Sequence, residues 1–405
     1  MNQEHLEAKE TRIGRMYDHL KDIAIPRLVG SDGEKKVQQF LKSKIQELGY
    51  TVQTEPVSTS LYRINFLQGF SNFMAAVLCI LSALLFSLHP LLFLVPIVLI
   101  FINISMVSKG SVDMGQAPNV PGPWKKNIIV TENIFAETSD DPENIEIVFV
   151  GHYDSKSNRL TGFQRVIFYI ILLICALIVL ICGIIGIIEY FHFPNILEQL
   201  EKIMWICALL SAIAGLILAG NVVGNNSIGV ADNGTAIVLL LELMAYFKEH
   251  PIRNANLTFL FSAAEEIGLT GAWNFIRKRE NQDRWNPKKV FVINYDLAGL
   301  RGHVIFNDAI GIPKTQVAPE MTELVIEVAK EQQIEIKKGY LPIGGWTDAL
   351  PFIERKYLTA TFSGLSTKIH SMGDNFDIID KENLYKSFVL GLELAKMISI
   401  KKNPI

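Results

Sequence analysis

The sequence predicts an α/β protein with a mostly parallel, twisted sheet and helices on both faces, into which two hairpins of transmembrane helices are inserted. Two observations predict this architecture. Outside two apolar blocks, short apolar runs typical of buried strands alternate with segments of helical periodicity, the order that gives a parallel sheet. Inside the blocks, four nearly uncharged segments are each about long enough to cross the hydrocarbon core of a bilayer.

Composition bounds the functions that are possible. The formal net charge of -3 gives no bulk basic character, so we expect no nucleic-acid partner. Hydrophobic residues make up 49% of the 405 residues, which is high for a soluble enzyme, and the excess lies in the apolar blocks. All four cysteines also lie there, which argues against a disulfide framework and a thiolate metal site. We therefore expect any metal ion to be held by histidines and carboxylates.

The region before the first block is polar and mixed in charge. Residues 1–20 lack an apolar stretch behind a basic start, so no cleavable signal peptide is expected. Residues 34–48 show helical spacing, and Gly49 stands where a glycine would end that helix. Residues 51–57 alternate as a strand does.

The apolar blocks predict two membrane hairpins. The first comprises residues 66–88 and 91–107, joined by a tight turn, and the second comprises residues 166–188 and 203–223, joined by an acidic connection. Buried helices of a soluble core are the alternative, but four uncharged segments near twenty residues exceed what such cores use.

The hairpins divide the chain into segments. The expected segments are the start of the α/β domain (1–65), the first hairpin (66–107), the α/β segment with the first metal motif (108–165), the second hairpin (166–223) and the remainder of the α/β domain (224–405). Since each hairpin returns to its starting side, the α/β domain lies on one face of the bilayer. The basic residues flanking the spans on that side are Arg63, Lys109, Lys125, Lys126, Arg159 and Arg165. The opposite loops carry only Lys202 among three glutamates, so the positive-inside rule predicts a cytoplasmic domain.

The rest of the chain alternates strands and helices. Further strands are predicted at residues 127–131, 145–150, 257–261, 290–294 and 359–363, and further helices at 232–247, 319–332 and 381–398. In such sheets, binding sites form at the carboxyl ends of the strands. Polar residues that directly follow a strand are therefore the first candidates for a site.

Seven histidine and acidic side chains lie just past a strand, at a helix start or in a late loop. They are His152, Asp154, Asp232, Glu265, Glu266, Asp296 and His370. Each alone has a structural explanation, such as a helix cap, a turn or a surface histidine. Together their nitrogen and oxygen donors suit zinc, and also manganese or cobalt. Two metals sharing one carboxylate could activate a water for attack on a carbonyl.

The motif order resembles the co-catalytic zinc exopeptidase family that includes bacterial leucyl aminopeptidases and glutamate carboxypeptidases. The matching segments are RLVGS at 27–31, GHYDS at 151–155, NSIGVADNG at 226–234, SAAEEIGLTGA at 262–272, NYDLAG at 294–299 and IHSMGDNFDIID at 369–380. The resemblance covers the chain apart from the hairpins. It implies two zinc ions bridged by Asp232, one completed by Glu266 and His370 and the other by His152 and Asp296.

The same resemblance implies two further roles. Glu265 would be the general base, which takes a proton from the attacking water and passes it to the leaving amine. Asp154 would accept a hydrogen bond from the His152 ring and fix its tautomer. The family often has a cis peptide bond after the bridging aspartate, which here would join Asp232 to Asn233.

This sequence departs from the family pattern in two places. Residues 347–349 read Thr-Asp-Ala where the family usually has Ser-Asp-His, so no side chain is identified that stabilises the tetrahedral oxyanion. Tyr340 and Trp346 are candidates for lining the pocket. The second departure is the hairpins, one of which separates His152 from Asp232.

The sequence therefore predicts a membrane-anchored zinc exopeptidase, with an aminopeptidase as the leading hypothesis. Its expected partners are a peptide substrate and the lipid bilayer. Whether the substrate is itself membrane-associated, or the hairpins only anchor the enzyme, stays open, as do the oligomeric state and the side-chain preference. The alternatives are glutaminyl cyclisation, hydrolysis of N-acyl amino acids, and a membrane scaffold without catalysis. The full ligand set and Glu265 favour a two-metal enzyme.

Overall fold

The computed structural model describes residues 3–61, 63–100, 102–103, 128–139, 141, 143–192, 196–282, 285–311, 313–341 and 345–401. The chain forms two compact units. The first, which we call the α/β unit, comprises Met1–Thr59, Ile128–Ser157 and Asn225–Ile405. The second, which we call the helical unit, comprises Ser60–Asn127 and Asn158–Gly224.

The strands, in chain order, are β1 (Gln53–Thr59), β2 (Ile129–Glu137), β3 (Ile145–His152), β4 (Ser157–Asn158), β5 (Val223–Gly224), β6 (Ala255–Ser262), β7 (Val290–Asp296), β8 (Val304–Ile310), β9 (Thr315–Gln316), β10 (Ile336–Leu341) and β11 (Leu358–Ser363). The helices are α1 (Gln3–Ile23), α2 (Asp32–Glu47), α3 (Gly69–Leu88), α4 (Pro90–Ile100), α5 (Gly162–His192), α6 (Leu197–Ala219), α7 (Thr235–Glu249), α8 (Thr270–Asn281), α9 (Pro319–Glu331), α10 (Ala349–Glu354) and α11 (Lys381–Lys401).

The main sheet has the order β1-β2-β6-β3-β7-β11-β8-β10, with β9 beside β8. The four central strands β6, β3, β7 and β11 run parallel to one another, as the alternation of strands and helices predicts. Antiparallel pairs join β2 to β1 and β6 on one side, and β8 to β11 on the other. In register, His152 lies opposite Ser262, and Ser363 lies opposite Asp296. The polar residues that end these strands therefore share one edge.

Helices cover both faces of the sheet, so the predicted fold class is confirmed. One apolar core unites the sheet with α1, α2, α7, α9 and α11, and the core on the other face includes residues of α8 and α10. Every residue of β6 and β7 is buried, which explains why these strands read as continuous apolar runs. At the end of α2, Gly49 has a φ of +76°, the left-handed conformation expected of a glycine there.

The helical unit consists of long apolar helices that present large side chains outward. Leu173 and Phe191 are 71% and 65% exposed. Inside, glycines let the helices approach closely, since a Cβ at Gly183 would lie 2.2 Å from Phe93 and one at Gly186 would lie 2.3 Å from Phe86. The four cysteines are buried here and form no disulfide.

Four helices of the described chain are long and apolar enough to cross a membrane: Gly69–Leu88, Gly162–His192, Leu197–Ala219 and Val230–Glu249. The first three leave most of their apolar window uncovered, with 28–39% buried, whereas Val230–Glu249 is 89% buried in the core of the α/β unit. We therefore interpret the fourth as a core helix.

The helix boundaries differ from those expected at the second hairpin and lie partly outside the described residues at the first. Glu189 belongs to α5, and Glu198 and Glu201 belong to α6, so the acidic connection is mostly helical. Leu200 and Met204 continue the buried face of α6, which explains why this helix begins earlier than expected. Of the span expected at 91–107, residues 101 and 104–107 lie outside the described residues.

Candidate metal centre

Two groups of three side chains in the α/β unit could each hold a metal ion. One group is His152, Glu265 and Asp296, and the other is Asp232, Glu266 and His370. Within each group, one ligand atom from each residue lies within 4.8 Å of the others. All six residues were named from the sequence, and the structure brings them together.

Asp232 stands between the two histidines. Its Oδ1 lies 3.2 Å from His152 Nε2, and its Oδ2 lies 3.0 Å from His370 Nε2. Glu266 Oε2 lies 3.2 Å from the same His370 nitrogen. Two ligands on one tetrahedral zinc ion, each bonded at about 2.0–2.1 Å, are about 3.3 Å apart. The observed separations are therefore compatible with one ion on each side of Asp232.

The strands and one turn position these ligands. His152 ends β3, Asp296 ends β7, and the Glu265–Glu266 pair follows β6. Asp232 lies in the turn Val230–Gly234 before α7, and its peptide bond to Asn233 is cis, as the resemblance implies. These elements bring their ends to the same edge of the sheet.

Asp374 holds the main chain of this turn. Its Oδ1 accepts a hydrogen bond from the Ala231 N–H at 2.7 Å, and its Oδ2 accepts one from the Asp232 N–H at 3.2 Å. Asn233 donates from its side-chain amide to the Tyr295 carbonyl at 2.8 Å, which ties the turn to β7. Asp374 was not named as a site residue from the sequence, although it lies in the segment that contains His370.

Asp154 contacts other residues in addition to the histidine that the resemblance implies as its partner. The nearest Asp154 atom to His152 Nδ1 is the main-chain carbonyl oxygen at 3.1 Å, and the carboxylate Oδ1 is 3.5 Å away. The carboxylate accepts hydrogen bonds from the Glu265 N–H at 3.1 Å and the Glu266 N–H at 3.3 Å. Asp154 therefore orients the histidine ring through its main chain and fixes the two glutamates through its side chain.

Arg27 links the two segments that carry His152 and Asp232. Its fully buried guanidinium donates to the Tyr153 carbonyl at 2.6 Å, the Ile228 carbonyl at 2.6 Å and the Gly229 carbonyl at 2.7 Å. The sequence placed Arg27 in a family motif without a role. In the structure, Arg27 binds the main-chain segments next to the candidate metal ligands and holds them in place.

Lys156 lies against Glu266. Its Nζ is 2.8 Å from Glu266 Oε2 and donates to the Glu266 carbonyl at 3.1 Å. Its main-chain N–H donates to Glu266 Oε1 at 3.2 Å. This ion pair was not anticipated from the sequence, because Lys156 lies just beyond the GHYDS motif.

Asp348 adds another buried carboxylate. One of its oxygens accepts a hydrogen bond from the Ser262 hydroxyl at the end of β6, and the other has no hydrogen-bond partner among the described residues. Burial raises the pKa of Asp348 to about 6.

Tyr340 and Trp346 are the two residues expected to line the pocket. The Tyr340 hydroxyl donates a hydrogen bond to the Gly311 carbonyl, and Trp346 is 42% exposed.

Burial, together with neighbouring acidic groups, raises the pKa of two carboxylates at the site. Burial raises the pKa of Glu265 well above its usual range, and the nearby Glu266 and Asp296 raise it further. Burial and the Asp232 carboxylate raise the pKa of Asp296 to about 8. Metal binding must displace these protons, so the affinity for metal falls as the pH falls.

The donor set fits zinc. It consists of imidazole nitrogens and carboxylate oxygens, which zinc accepts in tetrahedral sites with a position left for water. His152 Nε2 is buried and has no hydrogen-bond partner among the described residues, although carboxylate oxygens lie 3.2 and 3.7 Å away. A buried nitrogen without such a partner is expected where an ion would complete its contacts.

Comparisons with known proteins bear on the family and the fold of the chain. Residues 214–394 match the sequence profile of peptidase family M28, which confirms the predicted resemblance to the co-catalytic zinc exopeptidases. No curated protein sequence matches the chain. A glutaminyl cyclase from an Acidobacteriales bacterium superposes with a TM-score of 0.55 at 14% identity, covering 97% of this chain and 95% of its own.

Aminopeptidases are also among the similar structures. An aminopeptidase from Aneurinibacillus sp. strain AM-1 superposes with a TM-score of 0.54 at 12% identity, covering 95% of this chain and 93% of its own. BSAP, a zinc aminopeptidase from Bacillus subtilis, has a TM-score of 0.52 at 12% identity and covers 95% of each chain. The family match supports a peptidase-like hydrolase, and the similar structures show that the chain shares the fold of these enzymes.

Proposed function

We propose, from the match of residues 214–394 to peptidase family M28, that the protein is a membrane-anchored zinc exopeptidase that removes residues from the amino termini of peptides. The observation that carries the proposal is the Asp232 carboxylate between His152 and His370, with Glu265 beside it. This arrangement supplies ligands for two zinc ions and one carboxylate that remains available for proton transfer.

Bound zinc supplies Lewis-acid activation of a water molecule and of the substrate carbonyl. In the proposed mechanism Glu265 takes a proton from the attacking water and delivers it to the leaving amine. Its Oε2 lies 3.7 Å from His152 Nε2, next to one ligand group. Asp154 keeps this base in place, since it accepts hydrogen bonds from the Glu265 and Glu266 N–H groups.

The proposal includes the bilayer as a partner. Helices α3, α5 and α6 are long and apolar enough to span it. The basic residues that flank the spans favour a cytoplasmic α/β unit by the positive-inside rule. Protease digestion of sealed vesicles tests this orientation: the α/β unit should be cleaved in inside-out vesicles and protected in right-side-out ones, and the reverse result would refute it.

A panel of substrates separates the proposal from its rivals. Amino-acid amides and short peptides with a free amino terminus should be hydrolysed, and amino-terminally blocked peptides should not. Hydrolysis of N-acyl amino acids alone would favour the amidohydrolase alternative. Cyclisation of peptides that begin with glutamine, without peptide hydrolysis, would favour the cyclase, whose fold relatives are among the similar structures.

The substrate is proposed to include membrane-associated peptides, because the second hairpin is inserted between His152 and Asp232 in the sequence. The test compares one peptide sequence with and without an amino-acid side chain that carries a lipid, in vesicles that contain the enzyme. A higher kcat/KM for the lipid-bearing peptide supports the proposal. Equal values would show that the hairpins only anchor the enzyme.

A further inference from the structure

Lys156 makes three polar contacts with Glu266, a candidate metal ligand. Its ammonium lies 2.8 Å from Glu266 Oε2 and 3.1 Å from the Glu266 carbonyl oxygen, and its N–H donates to Glu266 Oε1 at 3.2 Å. The lysine side chain is only 16% exposed and that of the glutamate is 3% exposed. The contact is therefore a buried ion pair, screened little by water or salt.

The oxygen that Lys156 contacts is also the one that faces His370. Glu266 Oε2 lies 3.2 Å from His370 Nε2, which is about the separation expected for two atoms that bind one ion. A divalent ion between these atoms would share that oxygen with the ammonium group. The lysine then occupies one lone pair of the ligand and repels the incoming cation at close range, where the dielectric is low.

The other ligand group has no such cation. Among the described residues, no lysine or arginine forms an ion pair with Glu265 or Asp296, and Glu265 instead lies 3.7 Å from His152. The two groups share Asp232 but differ in their contact with Lys156, which pairs directly with Glu266 and acts on Glu265 and Asp232 only at longer range. Their affinities for a divalent ion should therefore differ in their dependence on Lys156.

We propose that Lys156 lowers the affinity of the Asp232–Glu266–His370 group for a divalent metal ion, and that it does so to a greater extent than for the group of His152, Glu265 and Asp296. The inference rests on the proposed function in that both groups are taken as metal sites. It assigns to Lys156 a role as a positioning residue that competes with metal for Glu266. The concentration of free metal ion at which the enzyme binds its second ion then depends on this one side chain.

The experiment measures zinc affinity of the full chain in detergent by competition with a chromophoric chelator, together with zinc content by mass spectrometry. Lys156→Met keeps the length of the side chain and removes its charge. It should tighten binding at one site by about tenfold or more, the scale on which residues next to metal ligands act. Lys156→Arg keeps the charge and should stay close to the wild type.

The affected site is assigned with His370→Ala, which removes one ligand group and leaves His152, Asp232 and Asp296. Lys156→Met should change the zinc affinity of the remaining group less than it changes that of the Asp232–Glu266–His370 group, because Lys156 contacts Glu266 directly. Unchanged or weaker binding by the single Lys156→Met variant, with circular dichroism matching the wild type, would overturn the inference. The proposed function would survive that result if the wild type binds two zinc ions, and would fail with the inference if it binds none.

Discussion

His152 and Asp232 meet with a separation of 3.2 Å between Nε2 and Oδ1, although the long apolar helices α5 and α6 lie between them in the sequence. The remaining oxygen of Asp232 faces His370 at 3.0 Å. A single carboxylate therefore serves both histidines. Its loss should affect both ligand groups, whereas loss of either histidine should affect one.

Asp232→Asn should abolish tight zinc binding at both groups, because an amide offers one weaker oxygen in place of two charged ones. Zinc content after dialysis against a dilute chelator, measured by mass spectrometry, checks this. Asp308→Asn is the matched control, since Asp308 pairs with Lys338 at 3.1 Å and is not a proposed metal ligand. Zinc retained by Asp232→Asn at the wild-type level would contradict the bridging role.

Glu265→Gln should reduce kcat by about 10²–10⁴-fold, the usual contribution of a general base. Its zinc content should stay near that of the wild type, because the proposed ligands remain. Rates are measured on an amino-acid amide together with the bound zinc. Full activity of this variant would remove Glu265 from the mechanism, whereas loss of zinc would show that it acts as a ligand, as its place beside His152 and Asp296 allows.

Arg27→Met should destabilise the α/β unit by about 3–5 kcal/mol, since it leaves three carbonyl groups, two of them buried and one half-buried, without their charged donor. Urea unfolding followed by tryptophan fluorescence measures the change. The control is Arg355→Met: Arg355 is 40% exposed, its ion pair with Glu280 spans 3.7 Å, and its loss should cost about 0–1 kcal/mol. Equal decreases in the free energy of unfolding for the two variants would show that the buried contacts of Arg27 add no stability.

Glu34 should make stability fall as the pH rises from about 5 to about 7. Burial raises the pKa of Glu34 from 4.5 to about 7, so in this window the folded chain holds a proton that the unfolded chain has lost. The shift corresponds to roughly 3 kcal/mol of stability that is present below pH 4.5 and lost above pH 7.

Urea unfolding at pH 5 and pH 8, with chelator present at both, tests this dependence. Glu34→Gln cannot ionise and should lack this part of the decrease. Glu10→Gln, at an exposed position of α1, is the control and should keep the wild-type decrease. The same pH dependence in both variants would place the titrating group elsewhere.

Part of the candidate site could be predicted from sequence because several of its residues end or follow a strand. The apolar runs that end at His152, Ser262 and Asp296 mark buried parallel strands, whose carboxyl ends must share an edge. The wide spacing of the ligands along the chain did not matter, since a parallel sheet sets their separation. The segment boundaries expected from the sequence remain predictions.

The supporting contacts could not be predicted in the same way. The pairing of Lys156 with Glu266 and of Asp348 with Ser262 depends on side-chain packing across elements, which periodicity does not encode. The antiparallel flanks of the sheet were missed for a related reason, because the order of strands is set by long-range pairing. Arg27 binds carbonyl groups of segments that lie far away in the sequence.

The most direct test of the proposed zinc site is an anomalous difference map of crystals grown with zinc, recorded at the zinc absorption edge. If two zinc ions bind as proposed, the map shows one peak on each side of the Asp232 carboxylate. One peak is bounded by His152 and Asp296, and the other by Glu266 and His370. A map in which these side chains are ordered, with no anomalous peak near Asp232, would contradict the assignment of a zinc-dependent peptidase.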